Sequence, residues 1–500
     1  MTTLPTEAVI PTSVEDSSPG QVAAAADAAR RAFGATASAS DAERALWLEA
    51  VADALDAARD DLVAIASRES HLPAARLTGE VARTTGQLRL FAAVVRDGAY
   101  LEAVIDRAKP EATPPQPDLR RILRPLGPVA VFSASNFPFA FSVAGGDTAS
   151  ALAVGCPVVV KGHSGHPELS VRTAQIVADA LARAGAPEGI FGLVLGREAG
   201  QALVQAPAIK AVGFTGSLAG GRALFDLASA RPEPIPFYGE LGSINPVVIT
   251  PAAAAARAVE LAAGLAASFT LGVGQFCTKP GVVLIPASSG FESALAAEAS
   301  AHDGGRMLTS RIAEAFPEGV QRLVAEGGAS VVLGEAAQET NDGSAKPVVL
   351  AVDAARVIER PDVLLEECFG PATLLVRYRD SAERDAVLDA IGGSLTATLH
   401  AEPEEDIAAL ADRLAGRAGR VLFGGWPTGV AVTWSQHHGG PWPATTSALH
   451  TSVGATAVRR FQRPVTFQDA PQAVLPAALR DENPLGILRR VDGTLTREAV

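Results

Sequence analysis

Five hundred residues, 48% hydrophobic and 19% charged, are more than one core usually holds and too apolar for a disordered chain, so two or three domains are expected. Forty-two basic against 55 acidic side chains leave a formal net charge of −13, which argues against a broad nucleic-acid or anionic-membrane surface. Three cysteines (Cys156, Cys277, Cys368), none in a C-x-x-C pair, form no disulfide framework, and the eight histidines show no metal-ligand spacing, so no metal site is expected. Residues 1–20 carry Glu7, Glu15 and Asp16 and no basic segment, against a signal peptide. The most apolar stretch, 251–269, is broken by Arg257 and Glu260, against a membrane span. A cytoplasmic, soluble protein is the expectation.

In chain order, apolar residues at three- and four-residue spacing (Leu48, Val51, Leu55, Leu62, Ile65) predict an amphipathic helix over 43–68. Prolines cluster over 109–117, which reads as an extended connector or an exposed edge. From Pro128 onward short β-branched runs alternate with helical stretches. Strands are expected at 129–133, 157–161, 190–195 and 209–214, and helices at 137–154, 169–184 and 219–230. Repeated strand–helix–strand units predict a parallel sheet with helices on its faces and ligands at the carboxyl ends of its strands. A second α/β pattern runs from about Asn245 to Trp434, with strands at 246–249 and 282–285. The tail from Pro471 is weakly periodic and is expected on the surface or across a partner subunit.

Cys277 stands in Gly274-Gln-Phe-Cys277-Thr-Lys-Pro280. A lone cysteine is most often a small buried hydrophobe. The glycine approach and the turn after it also suit a thiol presented at the end of an element, where backbone N–H groups favour the nucleophilic thiolate. Glu240, in Phe237-Tyr-Gly-Glu240-Leu-Gly242-Ser243-Ile-Asn245-Pro246, is either a solvated turn residue or a general base for water. Asn136, between a predicted strand and helix, is either a turn former or an amide aimed at a developing oxyanion. The Gly213-to-Gly221 segment closes a strand and opens a helix, and could present N–H groups to a pyrophosphate. Lys161, one of only five lysines, ends an apolar strand and is either a solvent-reaching charge or a cofactor contact.

Together and in this order, these segments resemble the aldehyde dehydrogenase superfamily over residues 42–468. The likeness is greatest to the NADP-preferring branch that contains 2-oxoglutarate semialdehyde (2,5-dioxovalerate) dehydrogenases. It rests on Leu77-Thr-Gly-Glu80…Arg83-Thr-Thr-Gly-Gln87, Ser142-Val-Ala-Gly-Gly-Asp147, Glu240-Leu-Gly-Ser243-Ile-Asn245-Pro246 and His438-Gly-Gly-Pro-Trp442. Bacterial fatty-aldehyde dehydrogenases are similar over the same segments, so a medium- or long-chain aldehyde is the alternative substrate. Phe137, Phe139, Phe141, Phe276, Trp434 and Trp442 would then line an apolar tunnel.

The resemblance implies an α/β fold with a Rossmann-like NAD(P)-binding domain (1–106 and 125–240), an α/β catalytic domain (241–435) and a small β bridging or oligomerisation element (107–124 and 455–500). It implies Cys277 as nucleophile, Asn136 with the Cys277 N–H as oxyanion hole, and Glu240 as the base for deacylation. Lys161 would reach the adenosine ribose, and Ser217, with Gly216 and Gly221, the pyrophosphate. Glu367 would meet the nicotinamide ribose, with Phe369 packed beside the ring. Ser164 stands where NAD-preferring relatives place a glutamate. Without that like charge, and with Lys161 and His163 nearby, a 2′-phosphate is expected to be accepted, so NADP is the expected cofactor and NAD a lesser one.

A homodimer or homotetramer is implied. Cys368, Trp442, Ser447 and the pair His437-His438 depart from the branch pattern, and all but Cys368 lie in a loop expected at the substrate mouth. Helix 137–154 contains no arginine, so a substrate carboxylate must be held from elsewhere.

Overall fold

The computed structural model describes residues 9–338, 342–427 and 429–500. Four helices come first: α1 (Pro19–Ser38), α2 (Asp41–Ala57), α3 (Arg59–Ser70) and α4 (Ala74–Asp97). Reciprocal capping by Ser18 with Gln21 and by Ser40 with Glu43 starts α1 and α2. The expected helix over 43–68 is divided at Ala58, whose ψ of 6° tips α3 away from the α2 axis. Both pieces then lie against α4 and α6 (Pro167–Arg183), which one straight rod would not do.

The first sheet is built from β3 (Val129–Phe132), β4 (Val158–Lys161), β5 (Phe191–Val194), β6 (Ala211–Thr215) and β7 (Phe237–Glu240), in the order β5-β4-β3-β6-β7. Every pairing is parallel. The crossovers are α5 (Gly146–Ala153), α6, α7 (Arg197–Gln205) and α8 (Leu218–Ser229). Val129, Val158, Val160 and Val212 are fully buried, as expected of strands covered on both faces. The predicted helix over 137–154 forms only as α5. Upstream of it, the Glu80 carboxylate accepts the backbone N–H groups of Phe139 (2.8 Å) and Ala140 (3.0 Å), which holds that stretch in turns. Glu80 is wholly buried, and desolvation raises its pKa.

The second sheet has the order β11-β13-β14-β9-β8-β15-β16. Its strands are β8 (Val247–Ile249), β9 (Val282–Pro286), β11 (Ser330–Leu333), β13 (Val348–Asp353), β14 (Ala372–Tyr378), β15 (Ser394–His400) and β16 (Ala418–Phe423). All run parallel except β11. Helix α9 (Pro251–Thr270) is long and apolar enough to cross a membrane. Its Leu261, Leu265 and Phe269 nevertheless pack with Val283, Ile285 and Val349 of this sheet, as in a core helix. Also in this half are α10 (Phe291–Ala299), α11 (Ser310–Ala325), α12 (Ala354–Glu359), α13 (Pro361–Leu364), α14 (Ser381–Ala390), α15 (Ala408–Ala415) and a ribbon of β10 (Gly305–Arg306) with β12 (Ser344–Ala345).

A third sheet, β17-β2-β1-β18-β19, joins β1 (Val104–Asp106) and β2 (Leu119–Pro125) to β17 (Gln462–Gln468), β18 (Arg489–Val491) and β19 (Thr494–Thr496). The tail expected on the surface is built into this unit. Leu475, Ala478, Leu479 and Ile487 pack with Ala103, Ile105 and Ile122, and Arg489 is buried and donates to the carbonyls of Arg480 and Asp481. A sequence of turns and isolated apolar residues gives no periodic sign of such packing.

Candidate active site

The carboxyl edge of the first sheet faces the amino edge of the second. Glu240 ends β7, Lys161 ends β4, and the 133–137 segment follows β3. From the other side come Asn245 just before β8, Cys277 shortly before β9 and Glu367 before β14.

Cys277 sits in a loop whose approach is left-handed at Gly272, Val273 and Gly274 (φ 57°, 58° and 65°). A Cβ on Gly274 would lie 2.2 Å from the Gly370 carbonyl oxygen, so only glycine fits there. Three side chains fix the loop. Asn136 Nδ2 donates to the Gln275 carbonyl (3.1 Å). Lys279 Nζ donates to the carbonyls of Cys368 (2.6 Å) and Ala372 (2.9 Å). Asn245, fully buried with φ 48°, donates to the carbonyls of Cys277 and Lys279 and accepts from Ser243 Oγ and the Thr396 N–H.

Cys277, Glu240 and His438 converge, their Sγ, carboxylate and imidazole atoms all within 4.8 Å of one another. Cys277 Sγ lies 3.6 Å from His438 Nε2 and hydrogen-bonds the Glu240 carboxylate. His438 Nε2 is 2.8 Å from Glu240 Oε1, and Ser452 Oγ donates to Glu240 Oε2 (2.5 Å). Burial acts to raise the Glu240 pKa, but His438, Ser452 and Cys277 outweigh it and hold the carboxyl below its ordinary value. The thiol goes the other way. Burial first, then the charges of Glu240 and Glu367, push Cys277 well up, with Arg83 opposing. A thiolate favoured by backbone N–H groups, the sequence expectation, is therefore not the resting state; deprotonation needs a base at hand, and Glu240 is in contact.

His438 opens one of the segments that carry the resemblance and is half of a doubled histidine, but no role is expected for it from the sequence. Its backbone N–H is held by Thr451 Oγ1 (2.8 Å) and its carbonyl by the Ser452 N–H (2.9 Å). The intervening loop runs along β7, where Leu241 and Thr446 bond the backbone of Ala444 and Gly239. Trp442, expected at the substrate mouth, instead lies half-exposed over Arg222 of α8 (5.9 Å), and Ser447 bonds His450 (2.8 Å). Only the histidine end of that loop reaches the thiol.

Asn136 is buried beside the Cys277 loop, and its carbonyl accepts from Arg76 (2.7 Å). Arg76 is laid over Phe137 (5.1 Å) and Phe276 (4.8 Å), and Arg83 over Phe141 (5.3 Å). Phe139 lies in the core and Trp434 is half-exposed. The expected apolar tunnel is thus a patch of Phe137, Phe141 and Phe276 with two guanidinium groups on its faces.

The residues expected to hold NAD(P) fit such a group. Gly200 of α7 leaves room for the Lys161 stem; a Cβ there would lie 3.3 Å from Lys161 Cγ. Burial lowers the Lys161 pKa. Ser217 caps α8, accepting the Gly220 N–H (3.3 Å), so the first N–H groups of the helix lie just past the carboxyl end of β6. Gly216 and Gly221 act through packing: a Cβ on Gly221 would meet Leu241 Cδ2 at 2.1 Å, and one on Gly216 would meet Phe214 at 2.8 Å. Glu367 reaches toward Gly242 at the far end of the groove, and burial pushes its carboxyl up to about 7, with Lys279 and the Ser243 N–H opposing. Phe369, partly buried, stands in the same loop. Ser164 is exposed in the turn after β4. His163 stacks on His166 (5.5 Å), and burial pushes it down to about 3, so it brings no positive charge to a 2′-phosphate.

The aldehyde dehydrogenase family profile matches residues 2–463. The chain is 50% identical over 478 residues to alpha-ketoglutaric semialdehyde dehydrogenase 2 of Azospirillum brasilense, covering 94% of this chain and 90% of that protein. It is 43% identical over 484 residues to the alpha-ketoglutaric semialdehyde dehydrogenase of Acinetobacter baylyi, covering 95% and 92%. Among solved structures, the aldehyde dehydrogenase KauB of Pseudomonas aeruginosa superposes with a TM-score of 0.77 at 20% identity, covering 91% of this chain and 89% of that one. With a match of this length, the chain belongs to the aldehyde dehydrogenase family, oxidoreductases that act on aldehydes with NAD(P).

Proposed function

We propose that this enzyme oxidises 2-oxoglutarate semialdehyde (2,5-dioxopentanoate) to 2-oxoglutarate, with NADP preferred over NAD and Cys277 as nucleophile. The observation that carries the substrate reading is the similarity, over more than nine-tenths of the chain, to two proteins named for that semialdehyde. The convergence of Cys277, Glu240 and His438 supports the chemistry.

In this reading Glu240 takes the thiol proton and Sγ bonds to the aldehyde carbon. The oxygen that gains charge is met by Asn136 Nδ2, which has a second N–H beyond the one given to Gln275, together with the Cys277 backbone N–H. Bound NAD(P), held by Lys161, Ser217 and Glu367, would supply the hydride acceptor for this carbon, and loss of the hydride would leave a thioester on Cys277. Glu240 passes the thiol proton to solvent and, ionised again, deprotonates a water that attacks the thioester; the C–S bond breaks and the departing sulfur takes the proton from Glu240, restoring the thiol. His438, 2.8 Å from the carboxylate, keeps Glu240 ionised between the two steps.

Preference for NADP is supported by Ser164, which brings no carboxylate against a 2′-phosphate, and by Lys161 as the nearby cation. Three free cysteines suit a cytoplasmic, reducing setting. Strand edges at β17 and β19 leave the third sheet able to pair with a second copy, in keeping with a homodimer or homotetramer. A three-part division into cofactor, catalytic and bridging units is supported by the three sheets, with β1 assigned to the bridging unit instead of the cofactor domain.

Initial rates of NADPH and NADH formation test the reading, with 2-oxoglutarate semialdehyde beside decanal and succinate semialdehyde. Highest kcat/KM for the keto semialdehyde with NADP is the expected result. A higher value for decanal, or for NAD, overturns the substrate or the cofactor part respectively.

A further inference from the structure

An aldehyde that carries a carboxylate needs a cation near the thiol, and the helix after Asn136 supplies none. Two arginines from other elements are placed to do so. Arg420 is in β16, opposite Thr396 of β15. Its Nε and Nη2 are both buried and have no hydrogen-bond partner among the described residues. These two nitrogens form one edge of the guanidinium, the edge that receives both oxygens of a carboxylate in a forked pair. Gly419, next to Arg420 in the chain, lies against His437 and Gly439 on either side of His438, and Thr396 opposite Arg420 bonds Asn245, which holds the Cys277 carbonyl. A buried fork with neither acceptor nor counter-ion is costly to keep, so it calls for an explanation.

Arg83, on α4, approaches the same centre. Among the described residues its Nη1 is buried without a partner, while Nε and Nη2 make long contacts to the Val430 carbonyl (3.4 and 3.3 Å). Its charge bears on Cys277 and Glu240 as well as on Glu80. Arg76, the third arginine here, is already committed to the Asn136 carbonyl.

We propose that Arg420 receives the terminal carboxylate of the substrate through its Nε–Nη2 edge, with Arg83 Nη1 as a second donor, so that the site selects aldehydes bearing a carboxylate a few carbons away. The inference rests on the oxidation of a carboxylate-bearing semialdehyde argued above and names the groups that recognise it. Uncharged aldehydes of equal length would leave both guanidinium groups unpaired, and discrimination follows from that penalty.

The test compares kcat/KM for 2-oxoglutarate semialdehyde and for pentanal, an uncharged five-carbon aldehyde, in the wild type, Arg420→Met, Arg420→Lys and Arg83→Met. The ratio of the two values is expected to fall roughly 10²-fold in Arg420→Met and about tenfold in Arg83→Met, mainly through KM of the keto semialdehyde. Arg420→Lys should recover part of the loss and carries the test if the methionine variant does not fold. Inhibition of pentanal oxidation by 2-oxoglutarate should weaken in parallel. A ratio unchanged in all three variants, with the two aldehydes falling together, overturns the assignment. A wild type that does not favour the keto semialdehyde over pentanal overturns the substrate reading itself, a result visible without any variant.

Discussion

Asn245 Nδ2 donates to the backbone carbonyl of Cys277 at 2.8 Å and to that of Lys279 at 2.9 Å, so a buried amide just before β8 sets the position of the thiol. Its Oδ1 is satisfied by Ser243 and Thr396, and its φ of 48° is one that asparagine tolerates better than most residues. Asn245→Ala should therefore remove about 2–3 kcal/mol of stability through unpaired buried carbonyls and lower kcat by about 10²-fold. Urea unfolding and steady-state rates measure both. Loss of stability with kcat intact would detach the amide from catalysis.

The Glu240 charge raises the Cys277 pKa, second only to burial. Glu240→Gln removes that charge, so the thiol pKa should fall and the thiolate fraction at pH 8 should rise. Alkylation by iodoacetamide is expected to be faster in this variant, while turnover drops by about 10²–10⁴-fold for want of a base. Slower alkylation in Glu240→Gln would mean that the carboxylate activates the resting thiol instead of suppressing it.

Asn136 presents one amide hydrogen to Gln275 and has another for the substrate oxygen. Asn136→Ala should cost about 3–4 kcal/mol of barrier, a fall of about 10²–10³ in kcat. A change in KM alone would contradict a role at the oxyanion.

Ser164→Glu places a carboxylate in the turn after Lys161. Repulsion of a 2′-phosphate should shift the NADP-to-NAD ratio of kcat/KM toward NAD by about 10²-fold or more. An unchanged ratio would remove this turn from cofactor choice.

Burial pushes Glu367 up to about 7. Below that pH the carboxyl is neutral; above it, the carboxylate is the stronger acceptor for ribose hydroxyls. The free enzyme's kcat/KM for the cofactor should rise with pH through about 7 and lose that step in Glu367→Gln. Persistence of the step in the variant would assign it to another group.

Much of the first sheet was legible because its strands are short β-branched runs between glycine turns, each a local pattern. Cys277, Glu240 and Asn136 were legible through the segments around them. His438, 161 residues from Cys277 in the chain, opens a matched segment and is half of a doubled histidine, but its contact with the thiol was not legible, because that contact depends on the loop that pairs with β7. Arg83 and Arg420 were invisible as a pair, since being unpartnered is a property of three-dimensional surroundings. The turns before α5 ran against helical periodicity because Glu80 captures two backbone N–H groups from a distant helix. The break at Ala58 leaves the apolar period intact, so only packing on α4 and α6 discloses it.

During turnover Cys277 is expected to carry the acyl group of the keto acid. Wild-type enzyme mixed with NADP and 2-oxoglutarate semialdehyde and quenched in acid within the first turnover should hold a thioester on Cys277, located by mass spectrometry of the digested protein, with about one NADPH formed per adduct. The same adduct should be absent from Cys277→Ala. Reduced cofactor formed with no adduct at Cys277, or an adduct on another residue, would contradict the account.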